Sequence, residues 1–167
     1  MADATIYKQN STTNDGTGAL LHIRRWAPSY SERSVIRFDL SSIGASATIS
    51  SATLRLVIRT NSGHVKDLNI YPITAAWTES AVTWSNIYFA FTPGPGTDSA
   101  QVGAYDTAGL VVTWDVTPDV ATFVVDPASN RGWIIMDSLD QLSGAGEEVN
   151  FDSREGTIPP ELQVCTG

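Results

Sequence analysis

The sequence predicts an all-β fold, an antiparallel β-sandwich with one short helix, and three observations carry that prediction. The run Arg33–Leu40 alternates, so a β-strand would send Ile36, Phe38 and Leu40 to one side and Arg33, Arg37 and Asp39 to the other. Ala52–Arg59 repeats the pattern, with Leu54, Leu56 and Ile58 inward and Arg55 and Arg59 outward. Short apolar runs recur along the whole chain between turn-forming clusters, which is the spacing of a sandwich rather than of alternating strands and helices.

In chain order, strands are predicted at Thr5–Lys8, Ala19–Trp26, Ser34–Leu40 and Ala52–Thr60. Four more follow at Asp67–Ile73, Leu110–Val116, Gly132–Asp137 and Glu161–Cys165. The segments 14–18, 61–63, 93–96 and 143–146 each contain glycine beside Asn, Ser, Pro or Ala, and glycine supplies the positive φ that tight reversals need. The helix is predicted over Pro118–Val125. Thr117 is placed to cap it, Pro118 suits the first helical position, Asp119 lies at the positive end, and Val120, Phe123 and Val124 would cover an open end of the sandwich. Residues 87–108, rich in Gly, Pro, Thr and Ser, read as a long loop with room for one edge strand.

The chain of 167 residues is read as one domain, 1–167, large enough to bury a core without staples. Its net charge of −8 and isoelectric point near 4.5 argue against nucleic acid and anionic membranes, both of which call for a broad positive field. No run approaches the roughly 18 apolar residues of a spanning helix, so no membrane insertion is expected. Cys165 is the only cysteine, which excludes an internal disulfide and a cysteine-based zinc cluster. The start, Met1–Thr5, has neither the basic nor the apolar region of a secretion signal, as in a mature or trimmed chain.

Five arginines carry the functional reading. If Arg24, Arg33, Arg37, Arg55 and Arg59 share a sheet, their planar guanidinium groups line a surface suited to carboxylates or sulfates in two-point contact. The competing reading is that each pairs with an acid such as Glu32, Asp39 or Glu79. Trp26 and Tyr30 flank the arginines as platforms for sugar rings, and Tyr88, Phe89, Phe91 and Tyr105 offer further rings in the loop region; Trp77, Trp84, Trp114 and Trp133 sit in apolar contexts and read as core. Loop carboxylates and amides, foremost Asn14, Asp15 and Asp152, are candidate ligands for a structural calcium, although no EF-hand spacing is present. The two histidines, His22 and His64, lie in no nucleophile elbow, phosphate loop or HExxH context, so no enzyme is expected.

Seven stretches together form a pattern. Arg33–Ile43, Ile49–Leu56 and Ile70–Asn86, followed by Trp114–Thr117, Asn130–Ile135 and Phe151–Glu155 before Pro160–Val164, resemble the DNRLRE domain over nearly the whole chain. That family is also described as disaggregatase-related repeats and as an alginate-binding carbohydrate-binding module family. The resemblance implies an extracellular, secreted or cell-surface jelly roll attached to larger polysaccharide-degrading or surface proteins, with members that bind acidic polysaccharide. Trp77, Glu79, Trp84 and Ser153–Glu155 would then build the fold rather than the ligand site. Together these readings give a non-catalytic module that holds an acidic polysaccharide such as alginate or another uronate-containing glycan. The alternative is a structural subunit of an extracellular fibre, surface layer or adhesin that meets neighbouring domains or copies of itself.

Overall fold

The computed structural model describes residues 1–140, 142, 144 and 146–167, and Ser143 and Ala145 of the fourth predicted turn lie outside them. Among the described residues there are ten strands: β1 (Ala2–Tyr7), β2 (Leu20–Ala27), β3 (Tyr30–Arg37), β4 (Ile49–Asn61), β5 (Lys66–Pro72), β6 (Asp98–Val102), β7 (Val111–Asp115), β8 (Trp133–Asp137), β9 (Glu147–Asp152) and β10 (Glu161–Thr166). A one-turn helix α1 (Trp84–Ile87) precedes β6, and α2 (Thr117–Val125) follows β7. The all-β, antiparallel expectation holds throughout, since every strand pairing is antiparallel.

The layers are joined rather than separate. The strand order β10-β4-β9-β2-β3-β8-β5-β6 runs through one sheet, with β1 added on β3 and β7 on β4. Strand β4, 13 residues long, makes this possible: its first half pairs with β10 and β7, and its end, past a register shift near Ile58, turns to β9. The far edge curls back, and the Asp98 carboxylate on β6 accepts the backbone N–H of Asp115 at the end of β7, 2.7 Å away. A curled sheet therefore encloses the core that two packed sheets would have enclosed.

Alternation explains the main core. Leu21 and Ile23 of β2, Leu54, Leu56 and Ile58 of β4, Val112 and Trp114 of β7, and Val149 and Phe151 of β9 all point into it. Helix α2 closes one end with Val120, Phe123 and Val124, as predicted. Its capping is different: Val116 occupies the cap position without a side-chain bond, and the Thr117 hydroxyl instead accepts the N–H of Ala52, 2.9 Å away. Asp119 is also committed to packing, accepting Trp133 Nε1 and the Thr97 hydroxyl, each at 2.7 Å.

A second, smaller core lies on the other side of β3 and β8. Ala4, Ile6, Val35, Ile134 and Met136 are covered there by Trp77, Val82, Trp84 and Ile87 from the segment after β5. Both faces of β3 and β8 are thus buried, which accounts for the unbroken apolar run Trp133–Met136. Strand β3 ends at Arg37 rather than Leu40, the loop 87–108 contains β6 as an edge strand on β5, and β9 is a strand that the sequence reading did not anticipate.

Candidate functional site

Strand parity divides the five arginines. Because Leu54, Leu56 and Ile58 face the core, Arg55 and Arg59 of β4 face outward; His22 and Arg24 of β2 do the same beside inward Leu21 and Ile23. Between them, β9 sets Asn150 opposite His22 and Glu148 opposite Arg24. Parity thus turns Arg24, Arg55 and Arg59 outward, with Arg59 on the part of β4 beside β9 and Arg55 on the part that pairs with β10 and β7. Arg24 reaches Glu32 at 3.4 Å and also binds Glu148. Arg55 lies 3.4 Å from Glu161, and Arg59 3.2 Å from the buried Asp152.

Arg33 and Arg37 belong elsewhere, and this corrects the expectation of a single five-arginine face. Both side chains project from β3 toward the small core, where a remote segment covers them. Arg33 is 4% exposed, paired with Asp140, bonded to the carbonyl of Tyr88, and stacked 4.6 Å from the Trp84 ring. Arg37 stacks 5.1 Å from the Trp77 ring and donates to the Trp77 carbonyl at 3.3 Å. They pin the covering segment onto the sheet.

The end of β2 and the start of β3 supply two exposed rings. Trp26 and Tyr30 are 53% and 36% exposed, meet edge to face at 5.6 Å between ring centroids, and flank the Arg24 guanidinium at 5.5 and 5.7 Å. Rings held this way are pre-oriented and half wet, the condition for stacking on a sugar face. A second aromatic patch lies over the small core, where Tyr88, Phe89 and Phe91 line a groove of about 450 Å³ together with Lys8, Arg33 and Trp84. The predicted core residues Trp77, Trp84, Trp114 and Trp133 are buried.

The predicted calcium ligands are engaged by other groups of the protein. Asn14 donates to the carbonyls of Glu79 and Val82 at 2.7 and 2.8 Å, and Asp15 accepts the Tyr7 hydroxyl. Asp152 accepts Arg59 and the N–H groups of Thr157 and Ile158. A different group converges beside Arg24: His22 Nδ1 lies 3.6 Å from Glu148 and 4.0 Å from Glu32. The His22 imidazole nearby, opposed by burial and assisted by Asn150 and Arg24, holds Glu148 down to about 2. Burial pushes Glu32 up against the pull of Arg24 and His22. Burial works to lower His22, but the neighbouring Glu148 and Glu32 carboxylates outweigh it, so its pKa is raised. The sequence reading did not bring Glu148 and Glu32 together with His22, because cross-strand pairing, not local spacing, assembles them.

Among the described residues no helix is long and apolar enough to cross a membrane. No curated protein matches the chain. A sequence model of carbohydrate-binding module family 96 matches residues 1–166.

Proposed function

This chain belongs to carbohydrate-binding module family 96, and from that premise we propose that it is an extracellular, non-catalytic module for an acidic polysaccharide, held on the outward side of β4, β9 and β2. Trp26 and Tyr30 stack on sugar rings, and Arg24, Arg55 and Arg59 meet uronate carboxylates. The observation that carries this reading is the Arg24 guanidinium beside two exposed rings.

Energetics favour Arg55 in particular. Surface ion pairs contribute about 0–1 kcal/mol, so a ligand carboxylate can replace Glu161 at the part-exposed Arg55 with little loss. Arg33, buried with Asp140, has no such freedom, because removing a partner from a buried pair costs about 3–5 kcal/mol. Arg55 and Arg59 are four residues apart on one strand, a span of about 13 Å, which fits successive charges of a polymer better than one small anion.

Affinity electrophoresis through gels containing alginate tests the reading. Trp26→Ala and the double variant Arg55→Ala/Arg59→Ala should each lose most of the retardation of the parent protein, and a gel containing a neutral glucan should retard none of them. Full retardation of both variants in alginate would sink it.

A further inference from the structure

We propose that His22, Glu32 and Glu148, joined by the amide oxygens of Gln9 and Asn150, form a binding site for one divalent transition-metal ion such as Zn2+. Strands β2, β3 and β9 each deliver one of the three principal ligands. One ligand atom from each lies within 4.8 Å of the other two, so a single ion can reach all three after small side-chain movements. Glu32 is only 4% exposed, and two carboxylates held this close inside a fold repel each other unless positive charge stands between them. Arg24 supplies that charge in part, at 3.4 Å from Glu32 and bonded to Glu148.

The second observation is independent of the carboxylates. Asn150 is 7% exposed and donates its Nδ2 to Glu148 and to the Thr60 hydroxyl, both at 2.8 Å. Its Oδ1 is buried and meets no donor among the described residues. Gln9 repeats the arrangement: its Nε2 lies 3.0 Å from Glu32, while its buried Oε1 likewise meets no donor. Both amides thus contact the two carboxylates of the cluster through nitrogen and leave an oxygen unsatisfied, which is unusual for buried polar atoms. Rotation about the last side-chain bond exchanges the oxygen and nitrogen of each amide. With an ion in the cluster, that rotation turns both orphaned oxygens into ligands.

The donor set selects the metal class. One imidazole with carboxylate and amide oxygens suits Zn2+, Co2+ or Mn2+. Calcium takes six to eight oxygens, so the imidazole disfavours it. A divalent ion also takes over the charge now provided by Arg24, leaving that guanidinium to Trp26 and Tyr30.

Titration with Co2+, followed by visible absorption and by calorimetry in the absence of any glycan, tests the site. One saturable site with a ligand-field spectrum is expected, displaced by Zn2+. His22→Ala and the milder Glu148→Gln should each weaken binding at least tenfold while far-UV circular dichroism stays unchanged, and His64→Ala should bind like the parent. The absence of saturable uptake by the parent protein would overturn the site, as would undiminished uptake by both the His22 and the Glu148 variants.

Discussion

Asp3 is a buried carboxyl that the fold keeps at a cost. It accepts the backbone N–H of Arg154 at 2.8 Å, and its own N–H donates to Glu79 at 2.9 Å. Burial pushes its pKa up to about 6; the Arg154 N–H pulls down, and Glu155 and Glu79 push up again. In the unfolded chain the group titrates near 3.8. Between those two values the folded protein holds the proton and the unfolded chain has released it, so stability falls as pH rises through the window. At 1.36 kcal/mol per unit, the total loss is about 3 kcal/mol. Asp3→Asn retains an acceptor for Arg154 without the charge. Guanidinium unfolding at pH 4, 5, 6 and 7 should show the parent losing stability between pH 4 and 6 relative to the variant, and equal slopes for the two would refute the assignment. A backbone test stands beside it. Gly132 has φ +70° and lies between β3 and the start of β8, where an added Cβ would sit 2.0 Å from the Ile36 carbonyl oxygen. Gly132→Ala should therefore cost more than about 2 kcal/mol, because left-handed strain alone accounts for roughly 1–2 kcal/mol.

At the level of elements, what could be read from the sequence follows from which contacts are local. The alternation of β4 reports both of its faces correctly, since the core takes one side and solvent the other. Strand β9 is harder to see: Glu147–Asp152 contains two apolar residues among four polar ones, and it became visible as a strand only through its pairings with β2 and β4. The polar members that hide it, Glu148 and Asn150, are also those that build the candidate site. Arg33 shows the converse failure. Its spacing matches an outward position, but Trp84 comes from some 50 positions further along the chain to roof it, and no local pattern encodes that. Thr117 has the chemistry of a cap, yet the neighbouring β4 backbone at Ala52 claims its hydroxyl first. The roofing element gives the matching prediction. Trp84→Ala removes a buried indole that packs in the small core and stacks on Arg33, and should cost about 3–5 kcal/mol. Arg55→Ala, at an exposed pair with Glu161, should change stability by less than about 1 kcal/mol. Thermal unfolding of the two variants measures the contrast, and near-parent stability of the Arg55 variant lets its glycan retention be read as binding.

Across the whole molecule, charge sets two effects against each other. The net charge is −8, so on the proposed reading a polyanionic glycan would approach a repulsive protein while its final contacts would be with arginines. The two effects differ in range. Repulsion from the summed charge acts before contact and is screened over about 10 Å at 0.1 M salt. The arginine contacts act at hydrogen-bond distance and determine mainly how long the complex lasts. Raising salt from 10 to 150 mM should therefore speed association, because the long-range penalty shrinks, and should also speed dissociation, because exposed carboxylate–guanidinium contacts weaken. A basic binder behaves differently, since its association slows as salt rises. Surface plasmon resonance on immobilised alginate separates the two rates. An association rate that falls with salt would show that the local field of Arg24, Arg55 and Arg59 governs the approach; an association rate indifferent to salt, together with unchanged dissociation, would remove charge from recognition and leave Trp26 and Tyr30 as the whole of the binding surface.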